Sequence, residues 1–160
     1  SNNTPKTGSY SSFQPAVLRG QGQIHFGKNV SFGIINSPLR HNTYAYIEAR
    51  SKDATIVFGN NIHINNAFSV VSEKKITIKN DVLIGCNFHD LDIVNRNQTD
   101  PEPKEVIIEN NVFIGNNVTI LKGVTIGKNS VVATGAVVTK SFPENVIIGG
   151  CPAEIIRSLV

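Results

Sequence analysis

The sequence predicts an all-β solenoid of short parallel strands wound into stacked coils, and three observations predict it. The first is a six-residue period: Ile108, Ile114, Ile120, Ile126, Val132 and Val138 recur one hexad apart. Two residues before each stands Val106, Val112, Val118, Val124, Ser130 or Ala136. Internal self-similarity takes precedence over local signals, and a helical period of 3.6 does not produce it. The second is alternation within each hexad, filled by β-branched residues that suit a pleated surface. The third is Gly or Asn after nearly every short strand, because both tolerate the left-handed backbone of a sharp corner. Three hexads make one triangular coil of about 18 residues, and coils stack about 4.8 Å apart.

The elements follow in order. Residues 1–15 are polar and aperiodic and are expected to be loose. The repeat begins with Ile24, Phe26, Val30 and Phe32. Asn36 to Thr43 breaks the pattern and reads as a loop. Tyr44 and Tyr46 are read as keeping the phase, since Tyr46 lies two hexads before Phe58. The hexads return at Ile56/Phe58, Ile62/Ile64 and Phe68/Val70. A slip at Ser72 to Lys75 precedes Ile76/Ile78 and Val82/Ile84. Continuing the count would bury Asp90, so the chain is expected to leave the coil before it. Residues 87–104 then form a protruding loop, and a long loop inside a compact domain is usually functional. The solenoid domain spans 16–152. Residues 153–160, following Pro152, are expected to form a short helix capping the open end. Flat exposed sheet faces predict association between chains.

Composition narrows the function classes. The chain has 160 residues and a net charge of +3, enough for one domain with a continuous core. No Lys/Arg-dense stripe with interleaved aromatics is present, which argues against nucleic acid. No apolar run reaches membrane-spanning length, and no signal peptide is visible. Cys86 and Cys151 lie in separate repeats without metal spacing, as expected of reduced thiols in a cytoplasmic protein.

Three strings carry more specific information: I-E-N-N-V-F-I-G-N-N-V-T-I-L-K-G-V-T-I-G-K-N-S-V-V, then V-V-T-K, then G-G-C-P-A-E-I-I-R. Together they resemble the hexapeptide-repeat acyltransferases, in the branch of maltose, galactoside and polysaccharide O-acetyltransferases, over roughly Ile56 to Arg157. The resemblance implies a left-handed parallel β-helix, an exception to the usual crossover hand. It implies a homotrimer with sites in the clefts between subunits, acetyl-CoA as co-substrate, no metal, and a sugar or saccharide acceptor. Transfer to a hydroxyl is the first reading, and N-acetylation of an amino sugar, free or nucleotide-linked, is the alternative.

The same resemblance supplies site residues. His89, in F-H-D-L-D, matches the loop histidine that serves as general base, a task imidazole suits near neutral pH. Asp92 would orient it, and Asp90 and Asn87 would meet the acceptor. Asn116 and Thr134 match positions along the pantetheine arm. Thr139, Lys140 and Arg157 match the nucleotide end, where Lys140 would meet phosphate. Read without the resemblance, these are a loop imidazole, ordinary loop polarity, a corner asparagine and solvated terminal charges. His25 and His63 sit between apolar strand positions and should point outward.

Three departures from the family pattern stand out. The approach to His89 is about one hexad short, Phe113 replaces a frequent tryptophan, and Glu154 replaces a basic residue. A zinc hydratase on the same fold would need three clustered histidines. The nearest pair here, His25 and His41, is separated by a loop. A non-catalytic scaffold would have no use for V-V-T-K or the basic C-terminal residue.

Overall fold

The computed structural model describes residues 4–35, 39–84 and 104–160. Among the described residues, coils one, two, three, five and six each contribute one strand to each of three faces. Coil one is β1 (Lys6–Thr7), β2 (Tyr10–Ser12) and β3 (Ala16–Gly20). Coil two is β4 (Gln23–Phe26), β5 (Val30–Phe32) and β6 (Ala45–Ala49), and coil three is β7 (Thr55–Phe58), β8 (Ile62–Ile64) and β9 (Ser69–Ser72). Coil four supplies β10 (Lys75–Ile78) and β11 (Val82–Ile84) before the chain passes into residues 85–103. Coil five is β12 (Val106–Ile108), β13 (Phe113–Ile114) and β14 (Thr119–Ile120), and coil six is β15 (Thr125–Ile126), β16 (Val131–Val132) and β17 (Val137–Val138). The last turn holds Phe142, bridged to Ile126, then β18 (Val146–Gly150) and β19 (Ala153–Ser158).

Like positions stack on like. On the first face Phe26, Phe58, Ile78, Ile108 and Ile126 pair in one parallel row. On the second, Phe32, Ile64, Ile84, Ile114, Val132 and Ile148 do the same. The third face carries Leu18, Ile47 and Val70 in one sheet and Ile120 and Val138 in another. All of these side chains are buried. The interior is aromatic in the early coils, where Phe26 stacks on Phe58 with centroids 5.3 Å apart and Phe32 meets Phe58 edge-on at 5.5 Å. Among the described residues it is aliphatic from coil four through coil six, with Phe142 buried in the last turn. Burial of β-branched rows supplies most of the stabilisation, since each isolated strand is too short to persist.

The corner between the first and second faces is a ladder of side-chain amides. Asn29, Asn61, Asp81, Asn111, Asn129 and Asn145 take φ between 55° and 59°, a region that favours asparagine among residues with a side chain. Nδ2 of Asn29 donates to Oδ1 of Asn61 (3.1 Å), Asn61 to Asp81 (2.9 Å), Asn111 to Asn129 (3.0 Å) and Asn129 to Asn145 (3.0 Å). Asp81 interrupts the ladder, because a carboxylate accepts but does not donate. Asp81→Asn is expected to add about 0.5–1.5 kcal/mol by completing the rung. A urea midpoint that stays put or falls would show that the ladder contributes nothing there.

Three expectations need correction. The C-terminal helix over 153–160 does not form: Ala153–Ser158 is strand β19, antiparallel to β18. Gly150, at φ 101°, and the turn at Cys151–Pro152 send the chain back along β18. Pairing satisfies the open edge of β18 along its length, whereas a helix this short is marginal on its own. Within residues 1–15, expected to be loose, β1 pairs with β4 and β2 with β5, so the winding starts one coil earlier. The phase at Tyr44/Tyr46 is also off by one: Ala45, Ile47 and Ala49 are buried, and Tyr46 faces outward. A one-residue slip in the preceding loop turns every side chain of a strand to the other face.

Candidate active site

The corner between the second and third faces holds two of the predicted site residues, Asn116 and Thr134. Ile84, Ile114 and Val132 stand in one register row, and in each coil the corner follows directly. The chain therefore passes into residues 85–103 from the same column of corners that holds Asn116 and Thr134 one and two coils further on. Gly115 N donates to Val132 O (2.8 Å), and Gly135 N donates to Asn116 O (2.9 Å), which locks the two corners together. A Cβ on Gly115 would lie 2.7 Å from both N and Oγ1 of Thr134. Only glycine allows that approach. Asn116 and Thr134 are both exposed. His89, Asp92, Asp90 and Asn87 lie outside the described residues.

Thr139 and Lys140 occupy the next corner, across the width of β17, and both are exposed. Lys140 Nζ lies 2.9 Å from each carboxylate oxygen of Glu154 and 5.7 Å from the centroid of the Phe142 ring. Strand β19 is what delivers Glu154 there. The predicted phosphate-binding lysine is thus already paired with an anion. Arg157 lies three residues further along β19, opposite Ile147. It is exposed and makes no ion pair among the described residues. The structure brings Asn116 to Thr134 and Lys140 to Glu154, and it leaves Arg157 outside both clusters.

Outward positions on the second face form a column running through Ser31, His63, Leu83, Phe113, Val131 and Ile147. It is polar in the early coils and apolar later, with Leu83 42% and Phe113 45% exposed. His63 points outward as the alternation requires, with Nδ1 2.8 Å from Ser31 Oγ, and His25 does so on the first face, 2.7 Å from Thr7 Oγ1. Among the described residues no three His, Cys, Asp or Glu side chains gather as a metal site would require, and no helix is long and apolar enough to cross a membrane.

Comparison with known proteins agrees with this geometry. Residues 105–140 match the family "Bacterial transferase hexapeptide (six repeats)". The chain is 31% identical over 158 residues to the "Putative lipopolysaccharide biosynthesis O-acetyl transferase WbbJ" of Escherichia coli (strain K12), covering 89% of this chain and 76% of that protein. A hexapeptide-repeat-containing acetyltransferase from Vibrio cholerae superposes with a TM-score of 0.59 at 40% identity, over 66% of this chain and 63% of the other. A galactoside acetyltransferase in complex with coenzyme A gives 0.57 at 25% identity, over 94% and 64%. The chain spans somewhat less than two thirds of each of those two solved chains. This chain belongs to the hexapeptide-repeat acetyltransferases.

Proposed function

We propose that the protein transfers the acetyl group of acetyl-CoA to a hydroxyl of a sugar or polysaccharide in the cytoplasm. The observation that carries this reading is the corner column that places Asn116 and Thr134 beside the exit to residues 85–103. His89 follows Ile84 by five residues, a reach of at most about 18 Å for an extended chain, which spans the one or two coil steps to those corners. Imidazole takes the proton of the acceptor hydroxyl as its oxygen bonds to the thioester carbon. The carbon–sulfur bond then breaks, and coenzyme A leaves as a thiolate that recovers the proton from the imidazolium. Asp92 holds the ring, and Asp90 and Asn87 meet the acceptor.

The oxyanion of the tetrahedral intermediate needs preorganised donors. The Gly115 and Gly135 amides are spent on Val132 O and Asn116 O, which leaves the Asn116 and Asn117 amides of that corner as the proposed donors. The name borne by WbbJ favours oxygen over nitrogen as the acceptor atom. Thiol release from acetyl-CoA against a panel of sugars, amino sugars and nucleotide-sugars tests this. Release with amino sugars alone would move the reading to N-acetylation.

Lys140, and Arg157 beyond it, would hold the nucleotide end of the donor. Because Glu154 occupies Lys140, the phosphates must displace a carboxylate. Glu154→Gln is expected to tighten coenzyme A about two- to fivefold, the range an exposed ion pair supports. Lys140→Ala should weaken coenzyme A while sparing acetyl-pantetheine, which has no nucleotide. A Glu154→Gln protein that binds coenzyme A no better than wild type would remove the competition.

The apolar end of the second-face column supports a homotrimer, with the sites in the clefts between chains. Sedimentation equilibrium should return the mass of three chains. A monomer mass at micromolar concentration would leave Leu83 and Phe113 without a partner.

A further inference from the structure

The third face of coils two and three holds an open pocket of about 430 Å³, which is within the size range of small-ligand sites. Its walls are Asn42, Thr43, Tyr44, Tyr46, Ala67 and Ser69. Nothing in the donor strip or the loop exit uses it. Tyr44 is 53% exposed, and its ring lies 6.4 Å from that of Tyr46 at 65°. Tyr46 pairs across the sheet with Ser69. The combination is two aromatic faces, a hydroxyl and a side-chain amide.

The charges beside the pocket are Arg19, Arg40 and Arg50 against Glu48 and Glu73, and Arg19 lies by the Tyr46 hydroxyl and Glu48. Arg50 donates Nε and an Nη to the two carboxylate oxygens of Glu48 (3.2 and 3.1 Å) and its other Nη to Glu73 (3.3 Å). Tyr46 OH donates to Glu48 Oε2 (2.9 Å). The Arg50 guanidinium holds the Glu48 carboxyl below its usual range. Burial, followed by the bond to Glu48, pushes the Tyr46 phenol up, so it stays a donor. Arg40, in the adjoining loop, gives Nε to Phe13 O (3.1 Å) and an Nη to Ile35 O (3.4 Å). Arg40 is held by main-chain carbonyls and not by a carboxylate, while none of the residues lining the pocket is charged.

One polar group behind the wall is unpaired. Gln14 is 6% exposed. Its Oε1 accepts from Thr43 Oγ1 and from Ala67 N, both at 3.4 Å, while Nε2 is buried without a partner. Ala67 itself sits at φ 63°, a costly conformation for a residue with a side chain and a feature that tends to cluster at ligand sites.

We propose that this pocket binds a neutral sugar ring of the acceptor, at a subsite remote from the reacting hydroxyl. The proposal rests on the acetyl-transfer reading above. Sugar C–H faces stack on tyrosine rings, and sugar hydroxyls pair with Asn42, Ser69 and the amide side of the wall. The lining itself is aromatic, hydroxyl and amide, which favours a plain saccharide over a nucleotide-linked one. Along the coil axis, β9 lies two coil steps from β14, about 10 Å. A chain of sugar rings bridges that distance and a single ring does not, so the subsite selects oligomeric acceptors.

The test uses the whole protein with maltotriose, tri-N-acetylchitotriose and globotriose as probes, followed by saturation-transfer NMR and by calorimetry. UDP-N-acetylglucosamine is the charged control, and coenzyme A is titrated separately. Wild type should bind at least one trisaccharide. Tyr44→Ala should weaken it about tenfold, the size of one lost aromatic contact, and Ser69→Trp should fill the pocket with the same result. Both variants should keep wild-type affinity for coenzyme A. Trisaccharide binding that is absent in wild type, or equal in wild type and Tyr44→Ala, overturns the subsite. A Tyr44-dependent grip on the nucleotide-sugar alone overturns the neutral-ligand assignment. Failure of coenzyme A to bind would instead sink the acetyl-transfer reading and leaves the saccharide arm to decide the pocket on its own.

Discussion

His89→Ala is expected to lower kcat by about 10²–10⁴-fold, the span a general base contributes, while leaving coenzyme A affinity and assembly unchanged. The argument begins with the row Ile84–Ile114–Val132. That register fixes where the chain leaves the described coil, and it is the corner column that holds Asn116 and Thr134. An acceptor hydroxyl is a poor nucleophile until a base takes its proton, and imidazole is the side chain whose ordinary pKa suits that task near neutrality. Single-turnover kinetics separates the chemical step from donor binding. A variant that kept more than about a tenth of wild-type kcat would lose too little for a general base. His63, exposed on the adjacent second face, would then be tested next, and an amine acceptor would become the better reading.

The second large effect is on stability. Ile120→Ala is expected to cost about 2–5 kcal/mol. Ile120 is 2% exposed and pairs in register with Val138. A solenoid core is one side chain thick at each level, so neighbouring coils cannot close over the missing atoms without moving their own rows. Denaturant unfolding measures the loss. A value under about 0.5 kcal/mol, as for a typical surface site, would place Ile120 outside the core.

Much of the architecture was legible because the hexad is a rigid spacing. From Ile56 onward the apolar residues that the period selects are the ones buried, including both sides of the slip at Ser72 to Lys75. Where the spacing is interrupted, the reading weakened. The loop before β6 changes the count by one residue, so Tyr46 was placed inward although Ala45 and Ile47 hold the core. β1 and β2 carry Lys, Thr and Ser outward with little apolar signal of their own, and they are strands because coil two offers them an edge. β19 is decided by the same kind of contact: Ala153 to Leu159 suits a helix locally, but the edge of β18 lies within reach.

The site divides along the same line. Asn116, Thr134, Thr139 and Lys140 are proposed from local motif, because each corner is fixed by its own hexad. The pairing of Lys140 with Glu154 depends on a hairpin that returns the chain over an earlier corner. The tyrosine pocket depends on Asn42 to Tyr46 of one coil meeting Ala67 to Ser69 of the next. Neither has a sequence signature, since each is made by stacking rather than by spacing.

Calorimetric titration of coenzyme A into the purified protein tests the central claim most directly, because it requires no knowledge of the acceptor. The structure leads us to expect saturable binding of one coenzyme A per chain, weakened by Lys140→Ala and strengthened by Glu154→Gln. Binding weaker than about 1 mM, with no response to either substitution, would contradict a donor site on this coil.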